Sequence, residues 1–185
     1  VVESTVNGGV IVPARSLAEI AKLLNDSDDK VTVFIDSKYI MVDLGDTKVI
    51  SRILEGEFLN YKQIIATEFT TEVVINKAQL TDALERASLL SKVGQNNLVK
   101  FDIKENNLLL TSNSEIGNVK ENISINQQGK DLFIAFNARY FMEAFRTNND
   151  EFVKIKFNSS SNPCVVVPAS GNEEYLYLIL PVRIL

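Results

Sequence analysis

The sequence of 185 residues contains no histidine and no tryptophan, and its only cysteine is Cys164. Without histidine, the usual zinc sites and the Ser-His-Asp and Cys-His catalytic arrangements are excluded, and one cysteine cannot form an internal disulfide. None of the eight glycines belongs to a GxGxxG or GxxxxGK[ST] loop, which would hold nucleotide phosphates. We therefore predict no catalytic residues, no metal site and no cofactor.

Long hydrophobic runs are also absent. The longest, Tyr175 to Val182, is far shorter than the roughly 20 residues that a helix needs to span a bilayer. The opening residues, VVESTVNGG, lack the basic and apolar regions of a signal peptide. We therefore expect no membrane association and a cytoplasmic location. A single cysteine agrees with this, because proteins in the reducing cytoplasm rarely contain disulfides.

Three segments of the chain repeat one pattern: GGVIVPARSLAEIAKLL from residue 8, TEVVINKAQLTDALERASLL from residue 71 and DLFIAFNARYFMEAF from residue 131. Each passes from a short apolar strand through Pro13, Asn76 or Asn137 into a predicted helix. Asparagine suits the N-cap of a helix, and proline suits its first turn. Apolar residues then recur at spacings of three and four, which predicts one apolar helix face. In the first helix these residues are Leu17, Ile20, Leu23 and Leu24.

Three strand-like runs, joined by short polar links, follow each predicted helix. They cover 31–35, 39–44 and 48–54, then 98–103, 107–112 and 119–125, and finally 152–157, 163–168 and 175–182. Short links favour antiparallel hairpins. The pattern predicts an α+β fold of repeated β-α-β-β-β units, with antiparallel sheets and helices on one face. One unit covers only one face of its sheet, so units should pair, which leaves the first without a mate. Residues 55–70 are predicted to be an extended connector.

Four segments, in this order, resemble the bacterial β sliding clamp family: VISRILEGEFLNYKQII, ALERASLLS, AFNARYFMEAF and YLYLILPVR. This family is the processivity subunit of the replicative DNA polymerase. The resemblance implies the DNA clamp fold, in which six such units form three domains and two chains close head to tail into a ring around duplex DNA. It places this chain on the last three units, as a C-terminal fragment. Residues 1–68 would be the second half of the middle domain plus the connector, and 69–185 the C-terminal domain.

The resemblance also implies a function and partners. The chain would be part of a non-catalytic subunit of the polymerase holoenzyme, a homodimer when full length. Its partners would be duplex DNA, held without sequence preference, the replicative polymerase α subunit, the clamp loader and other clamp-motif proteins. The alternative is a repeat-built peptide-binding adaptor with no DNA role, which would form no ring and need no helix cations.

Positive charge is concentrated on the predicted helices, although the net charge is −5. Basic residues on a helix can simply form an ordinary solvated surface. The negative net charge also argues against a protein that binds phosphates over its whole surface. The resemblance instead implies that the helices line the hole of the ring. The DNA-facing residues would then be Arg15, Lys22, Lys77, Arg86, Lys92, Arg139 and Arg146.

The C-terminal run EEYLYLILPVRIL allows two interpretations. An unbroken apolar run is typical of a central strand buried on both faces, but Pro181 would interrupt its ladder. The resemblance implies that it also forms a hydrophobic cleft, between the middle and C-terminal domains, for short motifs of partner proteins. By family position, the cleft would include Leu59, Gln63, Ile64, Asn137, Tyr140, Asn162, Cys164, Leu178, Ile179, Leu180, Pro181, Val182, Arg183 and Ile184. Leu59 stands where the family usually has proline.

Overall fold

The computed structural model describes residues 8–24, 30–91, 97–115, 117–172 and 175–183. The chain divides into two compact units, Val1–Asn60 and Tyr61–Leu185. The domain boundary expected after residue 68 stays a prediction. Antiparallel sheets with helices confirm the predicted α+β class.

Within its described residues, the first unit contains one helix and one sheet. Its elements are α1 (Ala14–Leu23), β1 (Thr32–Ile35), β2 (Tyr39–Asp43) and β3 (Lys48–Arg52), with the strands in the order β1-β2-β3. Pro13 opens the helix, because its carbonyl accepts the N–H of Ser16 at 2.9 Å. Ser16 also ties the helix to β3 through the hydroxyl of Ser51, at 2.7 Å.

The core of this unit is small. Ile20, Ile40 and Val42 are buried, whereas Leu17 on the predicted apolar face of α1 is 49% exposed. Leu23 and Leu24 are equally exposed. This exposure is expected because the described residues of this unit form two layers, one helix and one sheet.

The second unit contains the other elements. They are a 3-10 turn (Tyr61–Gln63), β4 (Thr71–Asn76), α2 (Lys77–Ser91), β5 (Leu98–Lys104), β6 (Asn107–Ser114), β7 (Gly117–Ser124), β8 (Asn126–Gly129), β9 (Leu132–Asn137), α3 (Ala138–Phe145), β10 (Phe152–Phe157), β11 (Cys164–Pro168) and β12 (Tyr177–Ile179). Their strands form two antiparallel sheets, β12-β11-β10-β4-β8 and β7-β6-β5-β9.

The two sheets exchange strands between repeats. Strand β4 opens the second repeat but pairs with β10 of the third, whereas β9 opens the third repeat and pairs with β5 of the second. Each repeat therefore completes the sheet of the other, and they share one core.

Aromatic rings fill the centre of that core. Phe101, Phe136 and Phe141 are fully buried, with ring centroids 5.1 to 5.5 Å apart. The predicted N-caps are confirmed. The side chain of Asn76 accepts the N–H of Gln79 and that of Asn137 accepts the N–H of Arg139, each at 3.0 Å.

The strands of the structure differ from the predicted ones in three places. The strand before α1 is reduced to one bridge, from Ile11 to Leu54. Residues 126–129 form strand β8, which was not predicted. This strand lies at the sheet edge, where backbone hydrogen bonds to β4 can stabilise it without an apolar sequence pattern. The C-terminal run is not a central strand. Strand β12 is short and lies at the sheet edge, and the ladder ends before Pro181, which has no N–H to donate.

Candidate partner groove and helix face

Helix α3 forms one wall of an apolar groove. Asn137 caps its N-terminus, and Ala138, Phe141 and Phe145 anchor its inner face in the core. Tyr140 points the other way, is 52% exposed and lines the groove. The spacing of apolar residues thus fixes which side of the helix remains available for binding.

The opposite wall is the C-terminal strand. The groove has a volume of about 570 Å³, and its lining consists of Tyr140, Glu143, Ala144, Thr147, Leu176, Tyr177, Leu178, Ile179 and Leu180. Leu180 is 62% exposed, whereas Ile179 beside it is 4% exposed. The buried isoleucine holds the strand against the core, and the exposed leucine offers apolar surface to a ligand.

The side chains of Glu143, Thr147 and Tyr177 add polar groups to the lining of this groove. The guanidinium Nε of Arg139 lies 2.7 Å from a carboxylate oxygen of Glu143, and this hydrogen bond raises the pKa of Arg139. The hydroxyls of Thr147 and Tyr177 are hydrogen-bonded to each other across the groove. An extended segment with two or three apolar side chains and polar flanks would match this surface.

Four residues of the predicted cleft line the groove together: Tyr140, Leu178, Ile179 and Leu180. Pro181, Val182 and Arg183 follow them directly. The N–H of Val182 donates to the carbonyl of Ala135 on β9 at 2.8 Å, so the backbone after β12 is attached to the second sheet. Ile184 lies outside the described residues.

Cys164 and Asn162 occupy different environments. Cys164 is fully buried on β11 opposite Ile179, and burial raises the pKa of its thiol. It can support the groove from behind but cannot touch a ligand. Asn162 is exposed, and its amide donates to the side chain of Asn158 at 3.1 Å.

Three predicted cleft residues belong to the connector. Gln63 ends the 3-10 turn, and Ile64 follows it, with its N–H bonded to the carbonyl of Tyr61 at 3.0 Å. Leu59 belongs to the first unit and is exposed. None of the three lines the groove between α3 and β12, and their contact with a partner stays a prediction.

Sequence reasoning missed Glu143, Ala144, Thr147, Leu176 and Tyr177. The first three lie three, four and seven residues after Tyr140, the spacing of one helix face. This spacing places them on the same side as Tyr140, but only the position of β12 makes that side a groove wall. Leu176 and Tyr177 precede the predicted wall on the same strand.

The helix cations differ in how much charge is available. Arg86 makes two hydrogen bonds to Glu121 of β7, at 2.7 and 3.2 Å, which raise the pKa of the arginine and lower that of the glutamate. Lys22 pairs with Glu19 at 2.9 Å. A neighbouring carboxylate reduces the attraction between the cation and a phosphate.

Arg15 of α1 and Arg146, directly after α3, differ from these paired cations. Within the described residues, no carboxylate lies within ion-pair distance of Arg15 or Arg146. Arg146 shares a depression of about 460 Å³ between α2 and α3 with Arg86 and Arg139, and also with the acidic Asp82 and Glu85. Lys92 lies outside the described residues.

The described part of the chain contains no group of three or more acidic or cysteine side chains that could hold a metal ion. Its helices are too short or too polar to cross a membrane.

The fold and the order of its repeats define a class of protein. The chain superimposes on the beta chain of DNA polymerase III from Streptococcus pneumoniae with a TM-score of 0.84 and 34% identity, covering 95% of this chain and 47% of that one. The DNA polymerase sliding clamp from Bacillus subtilis superimposes with a TM-score of 0.81 and 30% identity, and the same shares of the two chains are covered. One of these structures is a DNA polymerase III beta chain and the other is a DNA polymerase sliding clamp.

Sequence comparison gives the same result. Residues 62–183 match the family model for the DNA polymerase III beta subunit, C-terminal domain, and residues 1–60 match that for its central domain. The Beta sliding clamp of Staphylococcus aureus is 32% identical over 179 residues, 96% of this chain and 47% of that protein. This chain belongs to the DNA polymerase III beta subunit family. It spans about half the length of the curated relatives it matches, and the family is non-catalytic, as predicted.

Proposed function

We propose that this chain forms part of a sliding clamp that tethers the replicative DNA polymerase to DNA. Membership of the beta subunit family supports this function. In the full-length protein, two chains would close into a ring around duplex DNA in the cytoplasm. The helices would face the DNA, with Arg15 and Arg146 as the least neutralised cations.

The observation that carries the proposal is the groove between α3 and β12. Its exposed leucines and Tyr140 form an apolar surface that the fold does not cover within the described residues. We propose that it binds short motifs of the polymerase α subunit, the clamp loader and other clamp partners. A glutamine followed by leucine and an aromatic residue would suit its polar and apolar lining.

The expected affinity is moderate. Each buried apolar side chain contributes about 1.5 to 3 kcal/mol, and the cost of association offsets several kcal/mol of the total. With a further contribution from backbone hydrogen bonds, we expect a dissociation constant no tighter than the micromolar range, where about 1 μM corresponds to roughly −8 kcal/mol.

Fluorescence titration of a labelled Gln-Leu-Phe peptide tests the proposal. Leu180→Ala should weaken binding about tenfold, because it removes exposed apolar contact area without opening the core. Leu89→Ala is the matched control, since Leu89 is also exposed but lies on α2, outside the groove. Equal loss in the two variants, or no peptide binding by the unmodified chain, would contradict the proposal.

A further inference from the structure

Lys77 is attached to the far end of another helix. It is the first residue of α2, yet its ammonium Nζ donates to the carbonyl of Asn148 at 2.6 Å, just past the C-terminus of α3. The same Nζ lies 3.2 Å from the side-chain oxygen of Asn148 and 3.5 Å from the carbonyl of Phe145. The backbone N–H of Lys77 donates to the carbonyl of Glu151 at 2.9 Å.

These contacts satisfy groups that a helix leaves unpaired. The last carbonyls of a helix have no partner within it and carry partial negative charge, so a cation there is favourable. Asn148 is only 8% exposed, and its amide donates to the carbonyl of Ala144 at 3.4 Å. Without the ammonium, the oxygens of Asn148 would lose their charged donor in a place that water reaches poorly.

The residues so fixed are part of the partner groove. Ala144 lines the groove, and its carbonyl also accepts the hydroxyl of Thr147 at 2.9 Å. Thr147 is hydrogen-bonded to Tyr177 on β12, the opposite wall. A continuous series of contacts therefore runs from Lys77 through Asn148 and the last turn of α3 to both walls.

We propose that Lys77 is a positioning residue for the partner groove, which sets the last turn of α3 and through it the spacing between Thr147 and β12. Its main task is then to order the binding surface, not to contact DNA. This inference rests on the proposed peptide-binding function of the same groove, and it identifies a determinant of affinity outside the groove lining.

The test uses the whole chain with Lys77→Met and Lys77→Arg. Lys77→Met keeps an apolar stem but removes the charged donor, and it should weaken binding of the Gln-Leu-Phe peptide three- to tenfold, or about 0.7 to 1.4 kcal/mol. Lys77→Arg keeps a cationic donor for the carbonyls and should restore most of the affinity. If the methionine variant does not fold, Lys77→Gln is the milder neutral replacement and should show the same loss.

Two control variants separate positioning from general effects. Lys130→Met removes the same charge at an exposed site outside the groove and should bind as the unmodified chain does. Thr71→Val removes a buried hydrogen bond of 2.7 Å on β4, and it should lower stability without changing peptide affinity. Equal peptide affinity in Lys77→Met and the unmodified chain would overturn the inference, as would an equal loss in Thr71→Val.

Amide hydrogen exchange gives a second readout that needs no peptide. Exchange in residues 144–148 and 176–179 should become about tenfold faster in Lys77→Met and stay unchanged in Lys130→Met. If the unmodified chain bound no peptide but this change occurred, the proposed function would fail while the positioning role held. Unchanged exchange in both segments would overturn the positioning role itself.

Discussion

A single carboxylate organises the turn between β1 and β2. One oxygen of Asp36 accepts the N–H groups of Lys38 at 2.6 Å and Tyr39 at 2.7 Å. These bonds favour the ionised form and lower the pKa of Asp36 below its ordinary value of 3.8. The conformation of this turn therefore depends on the ionised side chain.

Asp36→Ala should destabilise the first unit at pH 7. Because the folded pKa is lowered, the stabilisation is present above the unfolded pKa and is lost as the pH falls through the folded value. The difference between variant and unmodified chain should therefore shrink when the pH is lowered from 7 to below the ordinary pKa of 3.8. Urea unfolding, followed through the NMR amide signals of residues 32–43, measures it.

Asp46→Ala is the control for this prediction. Asp46 lies in the next turn, and within the described residues its side chain forms no hydrogen bond. Its replacement should have little effect at either pH. A destabilisation by Asp36→Ala that is equally large at both pH values would show that the charge of Asp36 is not responsible.

At the scale of elements, local signals predicted the helices well. Pro13, Asn76 and Asn137 mark true helix starts, because each cap depends on residues within three positions along the chain. Strand partners could not be obtained in this way. The pairing of Val73 with Ile155 depends on a neighbour distant in sequence, which no local pattern specifies.

The candidate groove was predicted only in part, because it too depends on residues that are distant from each other in sequence. Its strand wall, Leu178 to Leu180, follows from the apolar run and the family resemblance. The wall on α3 was predicted only at Tyr140, since Ala144 and Thr147 become groove residues through the pairing of β12 with β11. Nor could sequence show that Cys164 faces the core.

The C-terminal segment after β12 should matter more for binding than for folding. Deleting residues 182–185 removes the hydrogen bond from Val182 to Ala135 but leaves the pairing of Ile179 with Cys164. We expect a loss of about 1 kcal/mol in stability. Peptide affinity should fall much more, because the groove loses the anchor of its strand wall. Thermal denaturation and peptide titration measure the two effects, and unchanged affinity would mean that the terminus only completes the core.

At the scale of the whole molecule, a count of cations overstates the charge available to DNA. Arg86, Arg139 and Lys22 are each paired with a carboxylate, and Lys77 is bonded to helix carbonyls. With a net charge of −5, the chain should bind duplex DNA weakly and without sequence preference. The proposed clamp would hold DNA by encirclement and would need no stronger contact.

Anisotropy titration of a labelled duplex at several salt concentrations tests this distribution of charge. Arg146→Met should lower the affinity and reduce the salt slope by about 1, since it removes an unpaired cation. Replacing both Arg86 and Glu121 with Met removes an ion pair without changing the net charge, so the DNA affinity and its salt dependence should change little. Tight, salt-resistant or sequence-specific binding would contradict the sliding function. A chain with no DNA binding even at low salt would favour the adaptor alternative.

The exchange of first strands between the second and third repeats also affects synthesis of the chain. Strand β4 is complete at Asn76, but its partner β10 begins only at Phe152. At ribosomal rates of about 5 to 20 residues per second, the apolar strand TEVVIN would wait roughly 4 to 15 seconds for that partner. During this interval its open edge could pair with other chains, so the nascent protein should depend on chaperones until the third repeat emerges.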